Sequence, residues 1–396
     1  MGLNVAIFEP EADGHHMVLY TRTIIRTLNE RGHQVHLVTT ERAAQHDAYK
    51  ALLSENLLFQ THLMPDSPNT ADQGDLARLF AQFQRRRNYR RGFLDLSQSV
   101  SIDSIYMVNI DQADLAIALR GSPFGKAPFS GMLIGRQFHQ GNKLRDRLFR
   151  PVFRRLLKLA TLHKLLLLDG LLVDHVKNWP GASKVVHSPD VGALAPLDLS
   201  VSPRSALGIP NDQFIVLAYG AFSLRKGIKE VLDAVVMSPQ VSLLLAGVQD
   251  TEIQELLKSS GATQLRSEGR LFEIATFLND QQESQAFHSA DVVWSGYRNW
   301  LGMSGVLTLA AIAGKPVVCN NEGLIGHLVQ QHGLGVAVDI TNPEAVCNAF
   351  DTLRQEGRSF IEAGQLFAAN HTPERFGDCV CDAIESAASM NSSNLE

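Results

Sequence analysis

Short apolar runs rich in β-branched residues alternate along the chain with longer stretches in which apolar positions return every three or four residues. The first run is Leu3–Phe8. A polar turn from Pro10 to His16 follows, then a stretch of helical spacing to Arg31 that Gly32-His33 ends, then a second run, Gln34–Val38. Strand, loop, helix and strand in that order predict a parallel, doubly wound sheet. Further strands are expected at Ser104–Val108 and Gly131–Ile134, each running into a polar stretch. Between Pro189 and Pro203 the texture becomes that of a linker, and then the alternation restarts. Phe214–Tyr219, Val241–Ala246, 291–294, 316–319 and 335–338 read as strands, with a helix from Gly227 to Val236. The last segment, Pro373 to Ala388, reads as a helix crossing back to the first half. The pattern therefore predicts an α/β protein of two doubly wound, Rossmann-like parallel-sheet domains facing across a cleft. Their expected bounds are 1–192 and 193–372, with 373–396 returning. Ligands favour such domain junctions.

The most informative stretch is 290–318. A buried strand, a polar and aromatic turn from Ser295 to Gly305, and an apolar helix from Val306 to Ala313 follow one another there. Ser304 can cap that helix, and Gly314 with Pro316 can stop it. Free backbone N–H groups at Ser304-Gly305 and the positive helix end make an anion site, whereas the plainer reading is an ordinary capped connection.

Composition narrows the class. A length of 396 residues suits two domains, and 45% hydrophobic residues with no detectable repeat suit a globular protein. The N-terminal stretch has no basic leader, so no signal peptide is expected. The most apolar segment, Leu156 to Val173, is interrupted by Lys158, His163, Lys164 and Asp169, which argues against a spanning helix. The four cysteines lack zinc-ligand spacing and suit a reduced, cytoplasmic setting.

Charge is unevenly spread. Residues 1–195 carry 24 Lys and Arg against 18 Asp and Glu, a net +6, and the remainder is at −11. The basic half holds Arg85-Arg86-Arg87-Asn88-Tyr89-Arg90-Arg91 and a second segment with Lys143, Arg147, Arg150, Arg154, Arg155 and Lys158. In the second segment Leu148, Val152, Leu156 and Leu159 fall opposite the charges at helical spacing, and Pro151 starts or kinks that helix. Such a helix is either a solvated face over a packed one or a surface for an anionic membrane, which would make the protein peripheral. Nucleic acid is not expected as a partner, because the chain is acidic overall and no recognition motif accompanies the arginines.

Candidate chemistry sits where strands end. Gly14, His15 and His16 occupy the loop after the first strand, where such folds take ligands. Asp111, Arg136 and His139 follow the strands at Ser104–Val108 and Gly131–Ile134. Of these, Arg136 and His139 are the better candidates for positioned cation and base. In the second half, Gly220, Ser223, Arg225 and Lys226 follow one strand, and Tyr297, Arg298, Asn299 and Trp300 follow another.

Four stretches carry a family resemblance over nearly the whole length. They are GLNVAIFEPEADGHH with RGHQV after its helix, VVHSPDVG before the linker, YGAFSLRKGIKEVLDAV, and LTLAAIAGKPVVCNNEGL with HGLGVAVD. In order and spacing they resemble the GT-B glycosyltransferases, closest to the retaining glycosyltransferase family 4. The family uses an arginine and a lysine five apart for the donor diphosphate. Here the lysine matches Lys226, the arginine position is Ala221, and Arg225 is the neighbouring cation. The family's two glutamates, eight apart, fall on Leu301 and Leu309 when counted back from Gly314-Lys315-Pro316, so neither can accept a hydroxyl hydrogen bond.

The resemblance implies transfer of a hexose from a nucleotide-diphosphate donor to a saccharide or lipid-linked hydroxyl, with retention, as in polysaccharide biosynthesis. The nucleotide sugar would be a substrate; no cofactor and no metal are expected. Lys226 with His16, Arg136 and His139 would act on the reacting groups. Gly14, His15, Gly220, Ser223, Arg225, Tyr297, Asn299, Ser304 and Gly305 would complete the donor pocket. Two other readings stay open: a sugar-nucleotide epimerase or phosphorolytic enzyme of the same architecture, and a degenerate GT-B subunit that serves a partner.

Overall fold

The computed structural model describes residues 2–12, 16–67, 74–135, 138–140, 144–197 and 200–393. Of the candidate residues, Gly14, His15 and Arg136 lie outside the described residues, and His16 is described in its backbone only. The chain forms two units, residues 1–191 with 373–396, and residues 192–372.

The first unit contains β1 (Asn4–Phe8), β2 (Gln34–Thr40), β3 (Gln60–Met64), β4 (Ser104–Met107), β5 (Phe129–Leu133), β6 (Leu162–Leu167) and β7 (Val185–His187). They hydrogen-bond in the order β3-β2-β1-β4-β5-β6-β7, every pair parallel. In β1, Val5 and Ile7 face one apolar layer while Ala6 and Phe8 face the other. A strand covered on both faces must be apolar on both, which is why its run is continuous.

One layer is closed by the helix Pro373–Ser393, whose Phe376, Val380 and Ile384 are fully buried against Ile24, Leu28 and Leu37. Phe376 stacks on Tyr20 at 5.2 Å, and a side chain at Gly377 would run into Thr27. Arg31 fixes the register along the helix, bonding Asp378 at 2.6 Å, Asp382 at 2.8 Å and Glu385 at 3.1 Å. Burial disfavours the charge on Glu385, yet hydrogen bonds from His33 and Arg31 leave its carboxyl below the ordinary range.

The second unit contains β8 (Phe214–Tyr219), β9 (Val241–Ala246), β10 (Leu271–Ile274), β11 (Val292–Ser295), β12 (Val317–Asn320) and β13 (Gly335–Val338). Its sheet is again wholly parallel, in the order β10-β9-β8-β11-β12-β13. The two parallel sheets of 7 and 6 strands agree with the expected fold class.

Strands β3, β6, β7 and β10 were not among those the pattern predicts, for separable reasons. Strand β3 is a sheet edge whose sequence, QTHLM, is mostly polar and mostly half-exposed. Strand β6 carries His163 and Lys164 after its first residue, which break the apolar run; they bond Ser386 at 2.9 Å and the Ser183 carbonyl at 3.1 Å. Strands β7 and β10 are sheet edges, β7 with only three residues and β10 with Glu273 inside a four-residue run. The apolar segment 156–173 thus ends a helix, forms β6 and opens the helix Gly170–Val176. Among the described residues, no helix is long and apolar enough to cross a membrane.

Both basic segments are helical. The helix Leu144–Leu157 contains Pro151 in its interior and buries Phe153, Leu156 and Leu157. The other is the 23-residue helix Asp75–Ser97.

Candidate functional site

In the second unit the carboxyl ends of β8 and β11 lie side by side, because these strands are neighbours in the sheet. The loop after β8 narrows into a single turn, Leu224–Lys226, and ends at Gly227, whose φ of +64° is left-handed. Only glycine fits there, since a Cβ would strike the Gly296 carbonyl oxygen. Hydrogen bonds to backbone carbonyls then stitch the two strand ends together. Trp294 Nε1 donates to the Lys226 carbonyl at 2.9 Å, and the Arg298 N–H donates to the Arg225 carbonyl at 2.7 Å. The helix Ile228–Met237 starts from this junction, and Arg298 reaches its Glu230 at 3.1 Å.

That scaffold brings together residues singled out in the sequence. The Lys226 ammonium donates to the Tyr219 carbonyl at 2.7 Å and lies 5.4 Å from the Tyr297 ring centre. The Arg225 guanidinium lies over Trp300 at 4.7 Å and over Tyr297 at 5.6 Å. Tyr297 shares a 2.8 Å hydrogen bond with Ser304, and Ser304 Oγ accepts from the Val306 N–H, capping the helix Gly305–Ile312. Two cations, two aromatic faces and a capped helix N-terminus are thus linked within one unit. Aromatic faces hold cations at about 0.5–1 kcal/mol each at exposed sites, so the positive charge is prearranged.

The rest of the predicted set is less convergent. Gly220 has φ of +100°, with the Lys226 ammonium close beside its Cα. Ser223 starts the turn through its carbonyl, which accepts from the Lys226 N–H at 2.9 Å. Asn299 is exposed and adopts φ of +53°. Leu309 is 5% exposed, in the core with Leu217, Phe287 and Val293. Leu301 is half-buried, its carbonyl accepting from the Leu324 N–H at 2.9 Å.

Two features escaped the sequence reading. Tyr219 donates a short hydrogen bond to Glu283, whose carboxyl burial pushes up despite that bond. Three exposed apolar side chains, Leu224, Val248 and Phe277, follow β8, β9 and β10, which are adjacent strands. Phe277 is 85% exposed, and no periodicity marks a lone aromatic in a loop.

In the first unit, His139 is brought against Asp169. Nε2 of His139 lies 3.3 Å from Asp169 Oδ2, and their side chains are 6% and 8% exposed. The other Asp169 oxygen caps the helix Gly170–Val176 through the Leu172 N–H at 3.1 Å. Burial, with His175 nearby, lowers the His139 pKa to about 4, so the ring is neutral at pH 7. His139 Nδ1 is buried without a hydrogen-bond partner among the described residues. Asp111 is a clamp between strand ends, its Oδ2 accepting from the Ile134 and Gly135 N–H groups at 2.6 and 2.9 Å. Among the described residues, no group of three or more His, Cys, Asp or Glu is arranged to hold a metal ion.

Residues 203–365, which contain all of the second-unit site, match the family described as glycosyl transferases group 1. Sucrose-phosphate synthase from Thermosynechococcus elongatus superposes with a TM-score of 0.74 at 15% identity, over 98% of this chain and 100% of that one. Anabaena Alr3699/HepE in complex with UDP and glucose gives 0.67 at 16%, over 99% and 100%. The chain has the GT-B fold. A third GT-B neighbour is WaaG, a glycosyltransferase involved in lipopolysaccharide biosynthesis, at 0.65 and 16% identity over 96% of this chain and 99% of that one. No curated protein sequence matches the chain.

Proposed function

We propose that this GT-B protein is a glycosyltransferase that takes its sugar from a nucleotide-diphosphate donor held in the second unit. One observation carries the reading: consecutive cations, Arg225 and Lys226, lie against Tyr297 and Trp300, and Tyr297 is bonded to the cap of the helix Gly305–Ile312. When the sugar–oxygen bond to the diphosphate breaks, its electron pair leaves with the phosphate oxygen. Lys226, Arg225 and the N–H groups of the first helical turn stabilise that growing charge without a metal. Lys226 exchanges its bond to the Tyr219 carbonyl for one to the diphosphate. The exposed apolar rim of Leu224, Val248 and Phe277 offers a flat contact for the nucleobase. His139, a neutral ring whose Nε2 hydrogen-bonds Gln140 at 3.0 Å and lies 3.3 Å from Asp169, is the candidate for handling the proton of an acceptor hydroxyl.

A second reading, a subunit that has lost transfer, is favoured by Leu301 and Leu309 standing where the resemblance calls for glutamates. One experiment separates the two. Nucleoside diphosphates and nucleotide sugars are screened by thermal shift, and the best ligand is titrated against wild type and Lys226→Ala. A charged hydrogen bond is worth about 1.5–3 kcal/mol, so affinity should fall roughly 10- to 100-fold with an unchanged melting temperature. Turnover should fall further, because the charge is larger in the transition state. No nucleotide binding by wild type, or wild-type affinity in Lys226→Ala, ends this assignment.

A further inference from the structure

Helix Asp75–Ser97 is about 34 Å long at 1.5 Å per residue, and its two faces differ in kind. The inner face packs: Ala81, Asn88, Tyr89, Gly92 and Leu96 are buried. A Cβ on Gly92 would meet Met64 and Val38 at 2.9 and 3.1 Å, so the helix backbone lies directly on β3 and β2. Arg86 anchors it further, donating to the carbonyls of Arg120, Gly121 and Ser122.

The outer face is not what a water-facing helix shows. Leu76 is 73% exposed, Phe80 71% and Leu94 49%, and Arg87, Arg90 and Arg91 are exposed between them. Spacings of three and four residues put these six on one side of the helix. From Leu76 through Leu94 the sequence holds Arg78, Arg85, Arg86, Arg87, Arg90 and Arg91 and no Asp or Glu. The nearest acid, Asp95, touches Arg91 at 3.9 Å. Large apolar side chains left in water beside the exposed Arg87, Arg90 and Arg91 match the two zones of an anionic bilayer surface, acyl boundary and phosphate layer.

Among its described side chains, the second basic helix, Leu144–Leu157, lacks half of this signature. Arg150, Arg154 and Arg155 are exposed, but Phe153, Leu156 and Leu157 are buried, and Arg154 is committed to the Trp179 ring at 4.4 Å. Over residues 149–157, charge without exposed apolar surface is a solvated face.

We propose that the outer face of helix Asp75–Ser97 docks on an anionic membrane surface, with Leu76 and Phe80 entering the acyl boundary and Arg87, Arg90 and Arg91 meeting lipid phosphates. The surface lies outside the donor loops, so it stands or falls separately from the sugar-transfer reading.

The test is co-sedimentation of the full chain with phosphatidylcholine vesicles made with and without phosphatidylglycerol. Binding is expected only with phosphatidylglycerol and should weaken with salt. Arg87→Gln/Arg90→Gln/Arg91→Gln should lose about a hundredfold in partitioning. Leu76→Ser/Phe80→Ser should lose the part of binding that survives high salt, while Arg150→Gln/Arg154→Gln/Arg155→Gln should bind as wild type. All three variants alter exposed side chains, and unchanged melting temperatures will show that they fold. Absence of binding at low salt, equal losses in both arginine triples, or wild-type binding by Leu76→Ser/Phe80→Ser would each overturn the proposal. So would equally tight binding to RNA that ignores Leu76→Ser/Phe80→Ser.

Discussion

The two units of the chain share a sheet architecture and differ in what fills the carboxyl ends of their strands. In the second unit the ends of β8 and β11 are joined by the Trp294 indole and the Arg298 N–H, which donate to the Lys226 and Arg225 carbonyls, and cations lie on aromatic faces above apolar packing. In the first unit the corresponding ends hold buried ionisable groups. Glu9 follows β1 with no exposed surface, and His139 and Asp169 follow β5 and β6 nearly buried. Burial lifts the Glu9 carboxyl to about 8, opposed by the Glu11 N–H and reinforced by the Glu11 charge. One region keeps charge at the surface on a rigid frame. The other keeps the Glu9 carboxyl and the His139 ring neutral by removing water. The first suits a permanent anion such as a diphosphate, and the second suits proton movement.

The strongest way to break this comparison is to give the second unit a buried acid of its own. Leu309→Glu sets a carboxyl among Leu217, Phe287 and Val293, whose side chains offer it no hydrogen bond. Burying an unpartnered polar group costs about 3 kcal/mol, and more if charged. Melting should fall by roughly 6–12 °C at 2–4 °C per kcal/mol for a unit of this size. The loss should deepen from pH 5 to pH 8, because the unfolded carboxyl ionises and the folded one resists. An unchanged melting temperature with tighter nucleotide binding would mean that position 309 faces the ligand after all.

Gly227→Ala attacks the frame. The left-handed φ and the collision with the Gly296 carbonyl together should cost about 2–3 kcal/mol and separate the loops after β8 and β11. Nucleotide affinity should fall with stability, unlike the selective loss expected for Lys226→Ala. Calorimetric melting and titration of the same samples distinguish them.

How far these regions could be read in the sequence depends on what made them. Strands β1, β8, β9, β11 and β12 announce themselves because both faces are buried and both must be apolar. Strand β3 does not, being an edge with polar positions, and β6 hides behind His163 and Lys164. The grouping of Lys226, Tyr297 and Ser304 is legible because strand-end loops in a parallel sheet converge whatever their side chains do. The stacking of Arg225 on Trp300 is not legible, since it depends on side-chain direction across two loops. Neither is Tyr219 with Glu283, which meet from separate elements. The basic helices show the same limit: both were visible as charge, but only three-dimensional burial separates the one with bare apolar residues from the one that is merely solvated.

Glu9→Gln sharpens the comparison from the other side. The folded carboxyl titrates near 8 and the unfolded one near 4.5, so between those values the folded chain binds more protons. Stability from this group is complete below about 4.5 and is lost as pH rises through 8. Glutamine keeps an acceptor for the Glu11 N–H, which Glu9 Oε1 takes at 3.0 Å, and has no proton to lose. At pH 8 the variant should therefore be more stable by about 4 kcal/mol, and near pH 4.5 the two should melt together. A constant difference across that range would show that Glu9 is not held neutral.

The smallest effect expected is also the most specific to the second unit. If aromatic faces preset the Arg225 guanidinium for a diphosphate, removing Trp300 should matter only while Arg225 is present. Arg225→Ala and Trp300→Leu should each weaken nucleoside-diphosphate binding by about 0.5–1 kcal/mol, roughly 2- to 5-fold. The double variant should be little worse than either, giving a coupling energy of about 0.5 kcal/mol in a titration cycle. Trp300 also bonds the Met303 carbonyl at 3.1 Å, so Trp300→Phe, which keeps an aromatic face and loses that bond, serves as the control. Near wild-type affinity in Trp300→Phe assigns the effect to the ring. Additive losses in the cycle would mean that Arg225 reaches the phosphates unaided, and that rigidity at this site comes from the backbone frame alone.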